Sequence, residues 1–150
     1  MQIKYRDVKP RDFDRCIEIR GRTRDNPVPA EILEEFGVTK ESWVPLIRDK
    51  RIVGVVAESG NEVVGFCSGD TSTGEVLVLA LLPEYEGRGL GKRLLALVMD
   101  KLVSLGWDRL WLAASASPEI RAHGFYRHLG WVPTGEKDEN GDELLEYKIT

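Results

Sequence analysis

Three glycines at alternate positions constrain this chain more than any other feature of its sequence. Residues 86–91 read EGRGLG, and they lie between an apolar run that ends at Leu82-Pro83 and an amphipathic run. Glycine lets a backbone approach a ligand without an intervening Cβ. The free N–H groups and the dipole of a following helix point at the same place. The sequence therefore predicts a strand–turn–helix unit that binds a phosphate, with Arg88 and Lys92 adding positive charge.

The spacing of this turn can be tested against two known phosphate-binding motifs. A P-loop needs Ser or Thr after its lysine, but Lys92 is followed by Arg93. A dinucleotide-binding turn needs a third glycine or alanine where Leu94 stands, although Asp108 lies about where a ribose-binding acid is expected. Both motifs are therefore disfavoured. A turn that needs glycine only for its backbone conformation stays open as a structural interpretation.

Hydrophobic periodicity predicts one domain over residues 1–150, with the element order βα(α)βββαβαβ. Strands are predicted at 3–8, 52–58, 62–68, 75–82, 108–114 and 144–149, with an extra strand at 132–136. Helices are predicted at 10–22, 30–36, 40–48, 90–105 and 118–129. Three consecutive antiparallel strands form a meander, and the later strand–helix–strand crossover implies parallel pairing within a mixed sheet.

The composition is typical of a soluble globular protein, since hydrophobic residues make up 42% of the chain and charged residues 31%. A net charge of −4 argues against a general nucleic-acid binder, because phosphate neutralisation needs clustered Lys and Arg. No stretch reaches the roughly 18 apolar residues of a membrane span, and residues 1–7 lack the apolar run of a signal peptide. We expect a cytoplasmic protein that binds neither nucleic acid nor membrane.

The cysteine pattern indicates neither a disulfide framework nor a metal site. Cys16 and Cys67 form no CxxC pair and have no metal-ligand spacing with His123 or His128. Both cysteines are predicted to pack as small apolar residues.

Two segments together resemble a known protein family. Residues 81–95, LLPEYEGRGLGKRLL, are similar to the acetyl-CoA motif of the GCN5-related N-acetyltransferases, Gln/Arg-x-x-Gly-x-Gly/Ala between a strand and a helix. Residues 122–131 contain Ala122-x-x-Phe125-Tyr126-x-x-x-Gly130-Trp131 and resemble the family's later Ala-x-x-Phe-Tyr-x-x-x-Gly-Phe segment. The order of the two motifs and of the predicted elements agrees with this family across nearly the whole chain.

The resemblance implies an α/β (α+β) fold with a mixed central sheet of six to seven strands flanked by helices. A V-shaped cofactor cleft is expected between two central strands. The implied activity is transfer of an acetyl group from acetyl-CoA to a primary amine in a ternary complex, without a metal. The acceptor would be a small-molecule or peptide amine, and the family also suggests a homodimer.

The same resemblance implies a set of cofactor-binding residues along the strand end, the glycine turn and the later motif. These residues are Ala80, Leu81, Gly87, Arg88, Gly89, Leu90, Gly91, Lys92 and Glu119. Two positions depart from the family pattern: Glu86 replaces the usual Gln or Arg, and Glu119 replaces a frequent Asn. Because the motif acts mainly through backbone donors, we expect Glu86 to face solvent.

Three chemical roles follow from the needs of amine acetylation. Tyr126 would protonate the departing thiolate, since the resemblance places this tyrosine beside the sulfur. Glu75 matches the general base of histone-type relatives, and a backbone N–H near Leu81 would stabilise the oxyanion. Two structural interpretations stay open: Tyr126 as an aromatic packed on the sheet, and Glu75 as a solvated carboxylate at a strand end.

Two other functions compete with the enzyme. A non-catalytic acyl-CoA-binding or sensing module would keep the glycine turn without transfer, and the replacements at Glu86 and Glu119 favour it. A nucleotide-binding regulatory domain is disfavoured by the spacing of the glycines. The acceptor site is expected within residues 22–46, where no residue can be assigned.

Overall fold

The computed structural model describes residues 2–149, and its elements follow the predicted order. The strands are β1 (Ile3–Asp7), β2 (Ile52–Ser59), β3 (Glu62–Asp70), β4 (Val76–Leu81), β5 (Arg109–Ala114), β6 (Val132–Lys137) and β7 (Glu143–Lys148). The helices are α1 (Phe13–Arg20), α2 (Ala30–Glu35), α3 (Lys40–Arg48), α4 (Leu90–Ser104) and α5 (Arg121–His128). Short 3₁₀ helices at Pro10–Asp12 and Pro83–Tyr85 precede α1 and the glycine turn. The extra strand predicted at 132–136 is confirmed as β6.

Two antiparallel sheets form the centre of the fold. Strands β1, β2, β3 and β4 pair in that order, and β7 lies between β5 and β6. Within residues 2–149, one parallel bridge between Glu75 and Trp111 joins β4 to β5. The parallel pairing predicted for these two strands is therefore limited, in the described chain, to a bridge between the residue before β4 and the third residue of β5. Beyond the bridge the strands line opposite sides of an open cleft, as the V-shaped arrangement requires.

Helix α4 covers the first sheet and supplies much of the core. Its Leu94, Val98 and Leu102 are fully buried and recur every four residues, which places them on one face of the helix. Strand β3 contributes Gly69, where an added Cβ would lie 3.0 Å from Leu102 Cδ1 and 3.2 Å from Val98 Cγ1. The absence of a side chain at this position lets the helix approach the sheet closely. The α/β (α+β) class is thereby confirmed, with seven strands flanked by helices over residues 2–149.

Two helix boundaries differ from the prediction. The helix predicted at 10–22 is a 3₁₀ turn followed by α1, which ends at Arg20. The helix predicted at 118–129 begins only at Arg121, because Ile120 is extended, with φ of −80° and ψ of 131°. Pro118 therefore lies in the connection after β5 and does not open α5.

Both cysteines are buried and free, as predicted from their spacing. Burial raises the pKa of both thiols, which keeps them protonated and unreactive. None of the helices within residues 2–149 is both long and apolar enough to cross a membrane.

Candidate active site

A cleft of about 450 Å³ opens where β4 and β5 diverge. Other parts of the chain complete its walls: the end of α1 with the α1–α2 connection, the glycine turn, the start of α4, α5 with the connection before it, and the β6–β7 connection. Predicted site residues on its walls are Glu75, Ala80, Leu81, Gly87, Gly89, Leu90, Gly91, Lys92 and Tyr126. The fold therefore brings most of the predicted site into one cavity.

The glycine turn forms a cradle of backbone donors at one end of this cleft. Gly87 and Gly89 have φ of 76° and 82°, a left-handed conformation that favours glycine, and an added Cβ at either position would meet nothing within 4 Å. Helix α4 begins at Leu90 without a side-chain cap, and its first bond runs from the Arg93 N–H to the Gly89 carbonyl at 3.1 Å. The N–H groups at the helix start therefore remain available to an anion. This geometry fits a diphosphate.

Two predicted cofactor-binding residues lie outside the cleft. The Arg88 side chain is exposed and lies over the Tyr85 ring, with its guanidinium carbon 5.3 Å from the ring centroid. Glu119 is exposed and lies in the connection before α5, since that helix begins at Arg121. The structure thus gives neither side chain a place on the cavity wall.

Glu86 does not face solvent, so that prediction is wrong. Its side chain is only 18% exposed, and Oε2 accepts from Arg121 Nη1 at 2.7 Å and lies 3.2 Å from Arg24 Nε. Asp25 joins the group, since its Oδ2 accepts the backbone N–H of Arg121 at 3.2 Å. We call these four residues the charge clasp. It links the α1–α2 connection, the glycine turn and α5 along one side of the cleft.

The edge of β4 that faces the cleft presents free backbone groups. Leu82 donates its N–H to the Val64 carbonyl at 2.9 Å, on the β3 side. Because successive residues of a strand point to opposite edges, the Leu81 N–H points toward the cleft. The pairing with β3 also skips Leu77, a β-bulge that bends the strand near the same cavity. The oxyanion donor predicted near Leu81 therefore has a suitable orientation.

Tyr126 lies on the cleft side of α5 and is 8% exposed. Its ring contacts two aromatic neighbours edge-on, Phe125 at 5.2 Å and Trp131 at 6.1 Å between centroids. Burial raises the pKa of the Tyr126 hydroxyl, while the nearby Arg20 guanidinium acts in the opposite direction. The phenol therefore holds its proton at neutral pH, as a general acid must.

Glu75 is partly buried at the base of the cleft, beside the bridge to Trp111. Burial, together with the negative charges of Asp70 and Asp138, raises the pKa of its carboxyl to about 7. A base titrating near the working pH is the most effective proton acceptor. Its environment thus differs from that of a solvated carboxylate at a strand end.

Four charged residues of the cleft belong to no sequence motif and were not predicted: Arg20, Arg24, Arg121 and Asp142. Arg20 closes α1, and Asp142 lies in the β6–β7 connection. Each lies in a loop or at the end of a helix. Its position in the cleft depends on the tertiary fold, which the spacing of residues in the sequence does not reveal. Within residues 2–149, no group of three or more His, Cys, Asp or Glu side chains is arranged to hold a metal ion.

Two known proteins with similar sequences are acetyltransferases. A [ribosomal protein bS18]-alanine N-acetyltransferase of Haemophilus influenzae is 29% identical over 112 residues, which cover 73% of this chain and 69% of that protein. A mycothiol acetyltransferase of Beutenbergia cavernae is 36% identical over 72 residues, 48% of this chain. That second match spans only 24% of the relative's length.

Solved structures share the fold over essentially the whole chain. The PaiA N-acetyltransferase of Thermoplasma acidophilum, solved in complex with coenzyme A, superposes with a TM-score of 0.82 at 22% identity. That alignment covers 99% of this chain and 100% of the other. The ribosomal-protein-S18-alanine N-acetyltransferase of Escherichia coli superposes with a TM-score of 0.71 at 19% identity, covering 99% and 95%.

The model of the acetyltransferase (GNAT) family matches residues 13–131. This range extends from α1 to the residue before β6, and it includes the glycine cradle, the open edge of β4 and Tyr126. The chain belongs to the acetyltransferase (GNAT) family.

Proposed function

We propose that this protein transfers the acetyl group of acetyl-CoA to the primary amine of an acceptor, directly and within a ternary complex. One observation carries the proposal: a single cleft contains a glycine cradle for a diphosphate, free backbone donors on β4, a phenol and a carboxyl with a raised pKa. Membership of the family and the coenzyme A bound to the PaiA relative support the choice of cosubstrate.

The chain's own residues would perform three steps, while the thioester supplies an activated acyl group. Glu75, with a pKa of about 7, accepts a proton from the acceptor ammonium, through water, so that the amine can attack the acyl carbon. The Leu81 N–H stabilises the negative charge that develops on the carbonyl oxygen. As the carbon–sulfur bond breaks, Tyr126 donates its proton to the thiolate. The sulfur leaves as the thiol of CoA, and the phenolate left on Tyr126 regains a proton from water.

The cradle would bind the diphosphate of the cosubstrate through the N–H groups at the start of α4. Lys92 is exposed at this helix start and adds a positive charge. The residues that hold a cosubstrate thus lie at the opposite strand end from Glu75, which leaves the base of the cleft for the amine.

Thermal unfolding with acetyl-CoA, CoA and NAD added separately tests the cosubstrate. A ligand at 100 times its Kd stabilises a protein by about 2.7 kcal/mol. For a domain of this size we expect Tm to rise by about 5–10 °C with both CoA species and not with NAD. An unchanged Tm with acetyl-CoA and CoA would remove the basis of the proposal.

A non-catalytic acyl-CoA-binding module remains the second candidate, because the Glu86 carboxylate lies beside the cradle. Turnover separates the two functions. The enzyme releases free CoA when acetyl-CoA and an amine are both present, whereas a sensing module binds acetyl-CoA without releasing thiol.

A further inference from the structure

Arg20 differs from the other arginines of the cleft. It is the last residue of α1, and its partly buried side chain lines the cavity near Tyr126. Nη1 donates to the Asn26 carbonyl at 2.8 Å, which is the only hydrogen bond of this guanidinium within residues 2–149. A guanidinium has five N–H donors. Most of the donors of Arg20 therefore remain available to a bound molecule.

The charge of Arg20 has no protein counterion among the described residues. Arg24 and Arg121 both pair with Glu86, and Lys92 is exposed at the start of α4. Arg20 forms no such ion pair within residues 2–149, and burial lowers the pKa of its guanidinium. Holding an unpaired cation in a partly buried place is unfavourable unless an anion joins it. The surroundings of Arg20 therefore favour a ligand that brings an anionic group.

The same cleft contains carboxylates without a cation. Glu75 and Asp142 both line it, and neither forms an ion pair within residues 2–149. The other two cleft carboxylates, Asp25 and Glu86, are already engaged in the charge clasp. The cleft thus offers the acceptor one partly buried cation without an ion pair, Arg20, and two unpaired carboxyls. A molecule with an ammonium and a carboxylate complements both.

We propose that Arg20 binds the carboxylate of the acceptor, and that the acceptor is a free α-amino acid. The inference rests on the proposed function, because it assigns the ammonium of the same molecule to Glu75. A planar guanidinium with free donors can hold a carboxylate through two parallel hydrogen bonds. A peptide N-terminus has an amide where the amino acid has its carboxylate, and a polyamine has no carboxylate at all. Arg20 therefore selects against both.

The test compares each of the twenty standard amino acids with its own carboxamide as the acceptor. The two molecules share the α-amine and the side chain, and the carboxamide lacks the negative charge of the carboxylate. CoA release from acetyl-CoA is measured for wild type, Arg20→Gln, Arg20→Lys and Arg22→Gln. Arg22 is exposed in the same segment and pairs with Glu18 outside the cleft, so it is the matched control.

For wild type we expect kcat/KM to be about 10- to 100-fold higher for the best amino acid than for its amide, since a hydrogen bond to a charged group contributes about 1.5–3 kcal/mol. Arg20→Gln should abolish this preference through KM, Arg20→Lys should keep part of it, and Arg22→Gln should keep all of it. Circular dichroism and the Tm shift with CoA verify that each variant is folded and binds the cosubstrate.

Three results would overturn the inference. They are equal rates with acid and amide, a preference that survives in Arg20→Gln, and no acetylation of any amino acid by a protein that binds CoA. Spermidine and a peptide amide with a free N-terminus are included as alternative acceptors. If either is acetylated instead, the acetyltransferase function stands and the amino-acid acceptor is wrong. If CoA does not bind and no amine is acetylated, the proposed function itself fails.

Discussion

Glu86 accepts a hydrogen bond from Arg121 at 2.7 Å, although the two residues are 35 positions apart in the sequence. The contact fastens the glycine turn to the first turn of α5. The Glu86 carboxylate lies beside a cradle that suits a diphosphate, and it pairs with two arginines, Arg24 and Arg121, that an anionic ligand could otherwise use. We therefore expect the charge clasp to compete with the phosphates of the proposed cosubstrate.

Glu86→Gln should strengthen CoA binding. The substitution removes a negative charge beside the diphosphate site and releases Arg24 and Arg121 to the ligand. We expect Kd to fall about three- to tenfold, which corresponds to roughly 0.7–1.4 kcal/mol. Calorimetry at low salt gives Kd directly. Glu84→Gln is the control, because Glu84 is exposed in the same loop and its charge is screened by solvent. Weaker binding by Glu86→Gln would mean that the clasp shapes the cleft and does not compete with the ligand.

Gly89→Ala should weaken CoA binding by more than its effect on folding explains. At φ of 82° an alanine is strained by about 1–2 kcal/mol, and its methyl group would project into the cradle. Gly106→Ala is the matched control. Gly106 also has a positive φ, 104°, and space for a Cβ, but it lies after the C-terminal end of α4, away from the cradle. Both variants should lower Tm by a similar few degrees, and only Gly89→Ala should raise the Kd for CoA. Equal Kd values in the two variants would exclude the cradle as the binding site.

Tyr126→Phe should slow the release of CoA about 100-fold while leaving the Kd for CoA unchanged, because the hydroxyl acts only when the thiolate departs. The ring itself stays packed between Phe125 and Trp131. Tyr147→Phe removes a hydroxyl from another ring that contacts Trp131 but does not line the cleft, and it should leave the rate unchanged. Steady-state and single-turnover rates measure the effect. A Tyr126→Phe enzyme with the wild-type rate would limit this residue to packing.

The pH dependence of turnover should report Glu75. Its carboxyl must be ionised to accept a proton, so kcat/KM should rise with pH with a midpoint of about 7. Asp138 raises the pKa of Glu75, and Asp138→Asn should therefore move this midpoint to lower pH. Glu75→Gln should remove the rise altogether. A profile identical in wild type and Asp138→Asn would assign the titration to another group.

The same carboxyl should affect stability in the opposite sense. The folded-state pKa of about 7 lies above the ordinary value of 4.5, so the folded protein binds the proton more tightly than the unfolded chain does. The protonated Glu75 carboxyl therefore adds to the free energy of unfolding. This contribution is fully present below pH 4.5 and is lost as the pH rises through about 7. Urea unfolding between pH 5 and 8 measures the free energy of unfolding of wild type and of Glu75→Gln. We expect this free energy to depend less steeply on pH in the variant than in wild type.

The strands and helices were predictable where hydrophobic periodicity is strong. Helix α4 repeats leucine and valine over four turns, and the strands of the meander are separated by short polar turns. The start of α5 was misplaced because Pro118 suits a first helical turn, yet Ile120 is extended in the structure. Local sequence preferences thus predicted the presence of each helix and strand well, and the residues at which they begin and end less well.

The cradle and the two proposed catalytic side chains could be located from motifs, but the charges around them could not. Arg24 and Glu86 are 62 positions apart, and the pairing that turns Glu86 away from solvent arises only when two loops and the start of α5 meet. Arg20 has the same origin, because its place in the cleft depends on how the end of α1 turns toward Asn26. Sequence spacing reveals groups that share an element and is silent about groups that the tertiary fold brings together.

The arrangement of the two sheets makes the chain divisible at one place. Strands β1–β4 and helix α4 precede Gly106, and strands β5–β7 follow Trp107, so a cut between these residues would leave each sheet complete on its own polypeptide. Neither polypeptide would contain both Glu75 and Tyr126. The fully buried Leu110 and Leu145 of the second fragment pack in the same core as Leu94 and Val98 of the first, which would drive the two to reassociate. The rate of acetyl transfer recovered when the two fragments are mixed would then measure the fraction of molecules that have reassembled.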